Sequence, residues 1–275
     1  MGTENFDHEL NDLCRALKLP SVARDALRLS AQAVRQGQEP IDYLRDLLLT
    51  EVEERRERRA ARRVKEAGFP LVKTLSSFDF ELNPSLSPSK IRALCQGSYI
   101  AAAEPVIFIG EPGTGKTHLA TAFGYEAAQQ GLRVRYTTAA ALATRLVEAR
   151  DARELGSVVR RFAKVDVLIL DEWGYLPLAR SDAELLFQVL GERQEQRPIV
   201  VTTNLPFSEW TSMFPDPRLC RALVDRMTHK AHIIETGKRS IRLEQSLKRK
   251  TKGQRSMVSQ GEAERKEEST TKERR

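Results

Sequence analysis

The sequence predicts an α/β protein: a three-layer domain in which a parallel β-sheet is covered by helices on both faces, preceded by a small all-α domain. Three observations lead there. From Val106 onward, short apolar or β-branched runs alternate with longer helical segments. The first of those runs, Val106-Ile107-Phe108-Ile109, passes directly into a glycine-rich turn and then a helix. Residues 1–70, by contrast, carry apolar residues at helical spacing and no strand pattern.

Three helices are expected within residues 1–70. Leu10, Leu13, Cys14 and Leu17 recur at helical spacing, and Pro20 stops that segment. A second helix takes Ser21 as its N-cap and ends near Gly37. The third begins at Pro40 and places Ile41, Leu44, Leu47 and Leu48 on one face. Beyond Glu51 the apolar stripe disappears, and Arg55, Arg56, Arg58, Arg59, Arg62, Arg63 and Lys65 spread around the helix. Such a run is either a solvated face or a polyanion-binding one. The excess of arginine keeps the second reading open, because a guanidinium pairs with phosphate bidentately.

Gly68 and Pro70 end that helix, and residues 71–89, with Pro84, Pro88 and five serines, read as a linker arm. Leu75, Phe78 and Phe80 are too apolar for a free tether, so the arm is expected to dock on the main domain. Ser87-Pro88 then opens a helix, since proline in the first turn lacks only an N–H that would be unpaired anyway. Ile91, Leu94 and Cys95 should face the core. In the main domain, residues 90–245, the strand candidates are Val106 to Ile109, Arg133 to Thr137, Val165 to Asp171, Ile199 to Thr203 and His232 to Thr236. Residues 246–275 are rich in Lys, Arg, Glu, Ser and Thr and are expected to be disordered. The tail is locally basic at Lys248-Arg249-Lys250 and Lys252, which serves either solvation or a sequence-independent DNA contact.

The turn after the first strand reads Gly110-Glu111-Pro112-Gly113-Thr114-Gly115-Lys116-Thr117, and these residues with the following His118 are the candidate nucleotide contacts. A strand, a glycine-rich turn and a helix start together aim backbone N–H groups and the helix N-terminus at a polyphosphate. Lys116 is placed to reach the β- and γ-phosphates, and the Thr117 hydroxyl to ligate magnesium. The run from Val165 ends in Asp171-Glu172, at the carboxyl end of a buried strand where open α/β sheets bind ligands. Asp171 is the candidate magnesium holder through the metal's water shell, and Glu172 the candidate to polarise the attacking water. Asn204, after the strand Ile199 to Thr203, either orients that water or caps a turn. On the helical segment from Pro217 to Lys230, Arg218, Arg221 and Arg226 are surface arginines or, for Arg226 first, a contribution to a neighbour's phosphate.

Composition narrows the class further. With 45 Lys and Arg against 38 Asp and Glu, the net charge of +7 favours a polyanionic partner. Cys14, Cys95 and Cys220 are odd in number and lack metal-ligand spacing, which suits buried thiols in a reducing compartment. No apolar run reaches the roughly 18 residues that a membrane helix needs, and the N-terminus lacks a secretory pattern. A cytoplasmic protein without a membrane partner is expected.

The glycine-rich loop with Thr117-His118-Leu119-Ala120, the segment from Asp171 to Leu178, Glu184 to Leu190, Thr203 to Trp210 and Leu223-Val224-Asp225-Arg226 together resemble the IstB-type transposition helper ATPases of bacterial insertion sequences. The resemblance runs from about Leu10 to Leu243. Within the AAA+ superfamily this group is similar to DnaC-type helicase loaders and to initiator ATPases. It implies a sheet ordered 5-1-4-3-2, with the Asn204 strand between the phosphate-loop and Asp171 strands, and no C-terminal helical lid. It also implies ATP and Mg2+ as cofactors, ATP-dependent assembly into a ring or spiral on duplex DNA, and recruitment and activation of an integrase-type transposase. Hydrolysis would then drive disassembly.

By the same resemblance, Gly110, Gly113, Gly115, Lys116 and Thr117 match the nucleotide loop, Asp171 and Glu172 the Walker B pair, and Asn204 the first sensor. Arg226 falls in the segment that carries a trans-acting arginine. The N-terminal helical domain looks like the oligomerisation and DNA-engaging element. Oligomerisation is then expected to line up its Arg55, Arg56, Arg58, Arg59, Arg62 and Arg63, with Arg150, Arg153, Arg160 and Arg161 of the main domain, along the DNA backbone. Trp173 departs from the family pattern, where a smaller aliphatic residue is expected beside Glu172. The alternative reading is a DnaC-like loader of a replicative helicase. A small-substrate nucleotide kinase fits poorly, because it leaves the N-terminal helices and the basic tail without a role.

Overall fold

The computed structural model describes residues 2–174, 179–213, 216–238 and 240–241. The tail expected from residue 246 and the Tyr175 to Leu178 part of the family-like segment lie outside the described residues.

The chain opens with three helices, α1 (Gly2–Ala16), α2 (Pro20–Gln36) and α3 (Pro40–Ala67). Pro20 does not merely stop α1; it is the first residue of α2, and Ser21 is not the N-cap. The cap comes from another helix. The N–H groups of Ser21 and Val22 donate to Glu51 Oε2 at 2.8 and 3.3 Å. Proline in the first turn leaves few free N–H groups, and a carboxylate beside them also answers the positive end of the helix dipole. Burial works to raise the Glu51 pKa, but the Arg55 hydrogen bond at 2.7 Å and these two N–H groups outweigh it and hold the carboxyl below its ordinary range.

The small lobe packs Cys14, Val22, Ala26 and Leu47 together, with Tyr43 donating its hydroxyl to the Ala26 carbonyl at 2.9 Å. Of the apolar stripe on α3, only Leu47 is buried. Ile41, Leu44 and Leu48 are 71%, 47% and 45% exposed, because α2 covers just one side of α3. The second half of α3 leaves the lobe and lies on the main domain, where Ala67, Val64 and the following Phe69 join its core.

The arm from residue 70 docks as its apolar residues require. Thr74 and Ser77 form a reciprocal capping box around a short 3-10 turn, Leu75–Ser77. Phe78, Leu82 and Leu86 are buried, and Asn83 Nδ2 donates to the carbonyls of Thr114 and Thr236 at 3.2 and 2.8 Å. Helix α4 (Pro88–Ala93) follows Ser87, then a π turn over Leu94–Ser98 and α5 (Tyr99–Ala101).

The main domain continues β1 (Val106–Ile109), α6 (Lys116–Gln129), β2 (Val134–Thr138), α7 (Ala139–Asp151), α8 (Leu155–Ala163), β3 (Val167–Trp173), α9 (Arg180–Arg193), β4 (Ile199–Thr203), α10 (Pro217–Thr228) and β5 (His232–Glu235). Every strand pair is parallel, and the order β2-β3-β4-β1-β5 is the one the family resemblance implies. Strand alternation sends Ile107, Leu168, Leu170 and Val201 to the face covered by α7, α9 and α10. Val106, Phe108, Val167, Ile169 and Val200 go to the other, under α6 and the arm. That two-sided burial is why the strands read as continuous apolar runs.

β3 starts two residues later than its sequence pattern. The reason is Arg193, a fully buried side chain at the end of α9 whose guanidinium donates to the carbonyls of Phe162, Val165 and Pro198 at 2.6, 2.8 and 2.9 Å. Burial, with Arg197 nearby, pushes its pKa down to about 9, so it stays charged at neutral pH and satisfies three carbonyls that the turns expose.

Candidate nucleotide-binding site

β4 lies between β1 and β3, so three chain segments distant in sequence meet at the carboxyl edge of the sheet: the Gly110 to Thr117 loop, Asp171-Glu172 and Asn204. The loop leaves β1 with positive φ at Gly113 (85°) and Gly115 (96°), a region L side chains rarely adopt. Close approach also excludes larger residues. A Cβ would stand 2.3 Å from Ser240 Oγ at Gly113, and 2.6 Å from Phe78 Cε2 at Gly115.

α6 begins at Lys116, and the first turn of a helix presents N–H groups without intrahelical partners and a partial positive charge that favours an anion. Lys116 Nζ stands over the loop, donating to the carbonyls of Gly110 and Glu111 at 2.6 and 2.8 Å. Thr114 points inward, with Oγ1 bonded to the Glu111 carbonyl at 2.9 Å and to Thr236 Oγ1 at 2.6 Å, so its side chain braces the loop against the segment after β5. Glu111 and Pro112 are exposed at the loop tip.

Asp171 is 2% exposed and gathers three hydroxyls. Thr117 Oγ1 donates to Oδ1 at 3.1 Å, Thr202 Oγ1 donates to Oδ1, and the Tyr136 hydroxyl donates to Oδ2. Burial first, then the Asp171 hydrogen bond, raises the Tyr136 pKa, so the phenol stays protonated and a donor. The Thr117 hydroxyl and the Asp171 carboxylate are hard oxygen donors side by side, a set that fits magnesium with its remaining waters.

Glu172 breaks the strand. Its φ is 58°, at an irregularity between Leu170 and Trp173 in the pairing with β4, and its N–H donates to Thr202 Oγ1 at 3.1 Å. A bulge with a left-handed residue re-aims a side chain, and here it leaves the Glu172 carboxylate exposed between buried Asp171 and Trp173. Trp173 turns into the core, with its ring 5.6 Å from that of Trp210. Its bulk fills the interior beneath the site.

Not every expected residue comes here. Arg226 lies over the Phe187 ring, its Cζ 4.3 Å from the centroid, and lines a cavity at the amino edge of the sheet, away from its own phosphate loop. Arg218 and Arg221 are exposed. Arg55 and Arg58 hold Glu51 at 2.7 and 3.6 Å, Arg62 and Arg63 pair with Glu66 at 3.8 and 2.8 Å, and Arg150 pairs with Asp151 at 3.1 Å. Arg56, Arg59 and Arg153 are exposed.

Sequence reasoning missed Tyr136 and Thr202, although both strands visibly end in polar residues. It also missed that the arm builds a wall. Pro70, Leu71, Lys73, Phe78, Lys116 and Ile241 line a cleft of about 540 Å³ beside the loop. His118, expected to touch nucleotide, lines the same cleft but turns Nε2 to the Thr74 carbonyl at 3.0 Å and Ser77 Oγ at 3.2 Å, with Phe78 edge-on at 5.1 Å. Burial lowers its pKa, so the ring is neutral and ties the arm to α6.

A family model described as IstB-like ATP binding protein matches residues 12–249. The chain is similar to an insertion-sequence ATP-binding protein of Sinorhizobium fredii, 36% identical over 88% of this chain and 80% of that one. One of Pseudomonas aeruginosa is 35% identical over 88% and 91%. One of Geobacillus stearothermophilus is 36% identical over 85% and 93%. Among solved structures, the DnaC helicase loader superposes with a TM-score of 0.50 at 21% identity, covering 58% of this chain and 96% of the loader. AMPPCP-bound DnaA from Aquifex aeolicus gives 0.52 at 22%, covering 61% and 51%. At such identity the likeness is one of fold.

Proposed function

The chain belongs to the IstB-like ATP-binding proteins of insertion sequences, and from that premise we propose that it is a transposition helper that assembles on duplex DNA and recruits and activates a partner transposase. It is an ATPase of the AAA+ class. In this reading the loop amides and Lys116 hold the β- and γ-phosphates of ATP. Thr117 and Asp171 would hold Mg2+, which when bound would neutralise phosphate charge. Glu172 takes a proton from the water that Asn204 orients as that water attacks the γ-phosphorus; the bond to the β–γ bridging oxygen breaks, ADP leaves with its electron pair, and Arg226 of a neighbouring copy completes the site.

The observation that carries the reading is the meeting of Lys116, the Thr117–Asp171 pair at 3.1 Å and the re-aimed Glu172 at one sheet edge. Self-assembly draws support from two features. Arg226 is remote from its own loop, and α3 presents an uncovered stripe of Ile41, Leu44, Leu48 and Val52. The net charge of +7 supports a DNA partner. No helix among the described residues is long and apolar enough to cross a membrane. The helicase-loader alternative rests on fold alone.

The test is electron microscopy with ATP and duplex DNA, alongside nucleotide titration. Lys116→Ala should abolish ATP binding and assembly, and Glu172→Gln should bind ATP but trap the assembled state. Assembly of Lys116→Ala at the native level, or native turnover by Glu172→Gln, would sink the scheme.

A further inference from the structure

A separate cavity of about 340 Å³ opens at the opposite, amino edge of the sheet, where the second half of α3 passes β2, α7 and α8. Arg63, Arg133, Arg135, Arg145 and Arg161 line it, and Glu66 is the one acid among its lining residues. None of these arginines adjoins another in sequence; four elements and their loops bring them together. We propose that this cleft receives the sugar–phosphate backbone of duplex DNA, an assignment that rests on the DNA-binding reading above and supplies its contact site.

The charge balance carries the assignment. Arg63 pairs with Glu66 at 2.8 Å, and Arg133 with Asp166 at 3.4 Å. Arg135 donates to the Glu66 backbone carbonyl at 3.5 Å, and Arg145 lies 5.9 Å above the Phe162 ring. Among the described residues, Arg135, Arg145 and Arg161 meet no carboxylate. Three uncompensated guanidinium groups around one concavity repel each other, and an anion that enters relieves this. The cavity is an order of magnitude larger than the roughly 30 Å³ share of one water, which suits a phosphodiester with its sugar better than a simple ion.

Geometry adds to this. Arg63 is 19% exposed, and its Nε donates to the Gly131 carbonyl at 3.3 Å, while Phe162 steadies Arg145 from below. Held guanidinium planes lose little freedom when they pair with phosphate oxygens. Arg62, one residue along α3 and 64% exposed, extends the basic surface outward. By contrast, Arg55, Arg58 and Arg150 already have carboxylate partners.

The experiment is fluorescence anisotropy of a labelled duplex with the full-length protein and ATP, between about 50 and 200 mM salt. The triple variant Arg135→Gln/Arg145→Gln/Arg161→Gln should bind more weakly. The slope of log affinity on log salt should fall in magnitude by about 2.7, that is, about 0.9 for each of three phosphate contacts. Lys90→Gln, on the exposed side of α4 and outside the residues placed at the DNA or the nucleotide, should leave the slope unchanged. ATP binding should be native in both, and the exposed single variant Arg161→Glu, which cannot disturb the core, should weaken DNA binding about tenfold or more. A triple variant with native slope and affinity would overturn the assignment while leaving the DNA reading intact. A wild-type protein that binds no duplex would overturn both, and polyglutamate displacing DNA from the wild type but not from the triple variant would reassign the cleft to an acidic protein.

Discussion

Replacing Phe78 by alanine tests whether the arm is part of the nucleotide site or only packed beside it. Phe78 is 7% exposed, edge-on to Phe80 at 4.8 Å and to His118 at 5.1 Å, and its Cε2 occupies the space where a side chain on Gly115 would begin. An aromatic side chain buries about 150–250 Å². At about 25 cal/mol per Å² that is about 4–6 kcal/mol, and buried Phe→Ala changes cost about 3–5 kcal/mol. The arm lies outside the sheet, so the loss should fall on its docking. A docked arm weakened by about 3 kcal/mol lowers the affinity of any ligand that needs it by up to about 100-fold, at 1.4 kcal/mol per decade. Titration with a ribose-labelled ATP analogue should show weakening of about 10- to 100-fold, while calorimetry shows the main transition shifted by only a few degrees. Phe78→Leu should restore most of the affinity. Native affinity together with a melting temperature lowered by about 6–20 °C, the full cost expressed globally, would refute the reasoning and make Phe78 a core residue alone.

Thr202→Val and Tyr136→Phe each remove one hydroxyl donor from Asp171. A hydrogen bond to a charged group contributes about 1.5–3 kcal/mol, so both variants should need about tenfold more Mg2+ for half-maximal phosphate release, with metal-free nucleotide binding unchanged; a Mg2+ dependence in both that matches the wild type would contradict a positioning role. His118 should make the arm sensitive to acid. Its pKa is held below the ordinary 6.5 by burial, so the free ring binds more protons than the docked one, and docking is full above that value and lost as pH falls below it. Nucleotide affinity should therefore decline from about pH 6.5 downward, and a His118→Gln variant that declines equally would remove His118 as the cause.

Much of the architecture was legible because burial is written in residue pattern. Strands enclosed on both faces must be continuously apolar, and Val106 to Ile109 and Ile199 to Thr203 were located to the residue. The glycine-rich loop was equally legible, since a turn with positive φ at Gly113 and Gly115 tolerates few alternatives. Where the expectation failed, the missing partner came from far along the chain. Ser21 looked like a cap, yet Glu51 supplies it; Ile41, Leu44, Leu47 and Leu48 share one face of α3, yet only Leu47 is buried. Val165 looked like strand until Arg193 claimed its carbonyl.

The sequence by itself determined the parallel α/β class, the phosphate loop, the acidic pair at Asp171-Glu172 and the docking of the arm. Each depends on local spacing or on residues that must be buried. Only the tertiary structure decided that Tyr136 and Thr202 hold Asp171, that His118 faces the arm, that Arg226 is turned from its own site, and that five scattered arginines share one cleft. The physical reason is that hydrogen bonds and charge clusters depend on distance in space, and the crossover order of the sheet, not spacing along the chain, sets that distance.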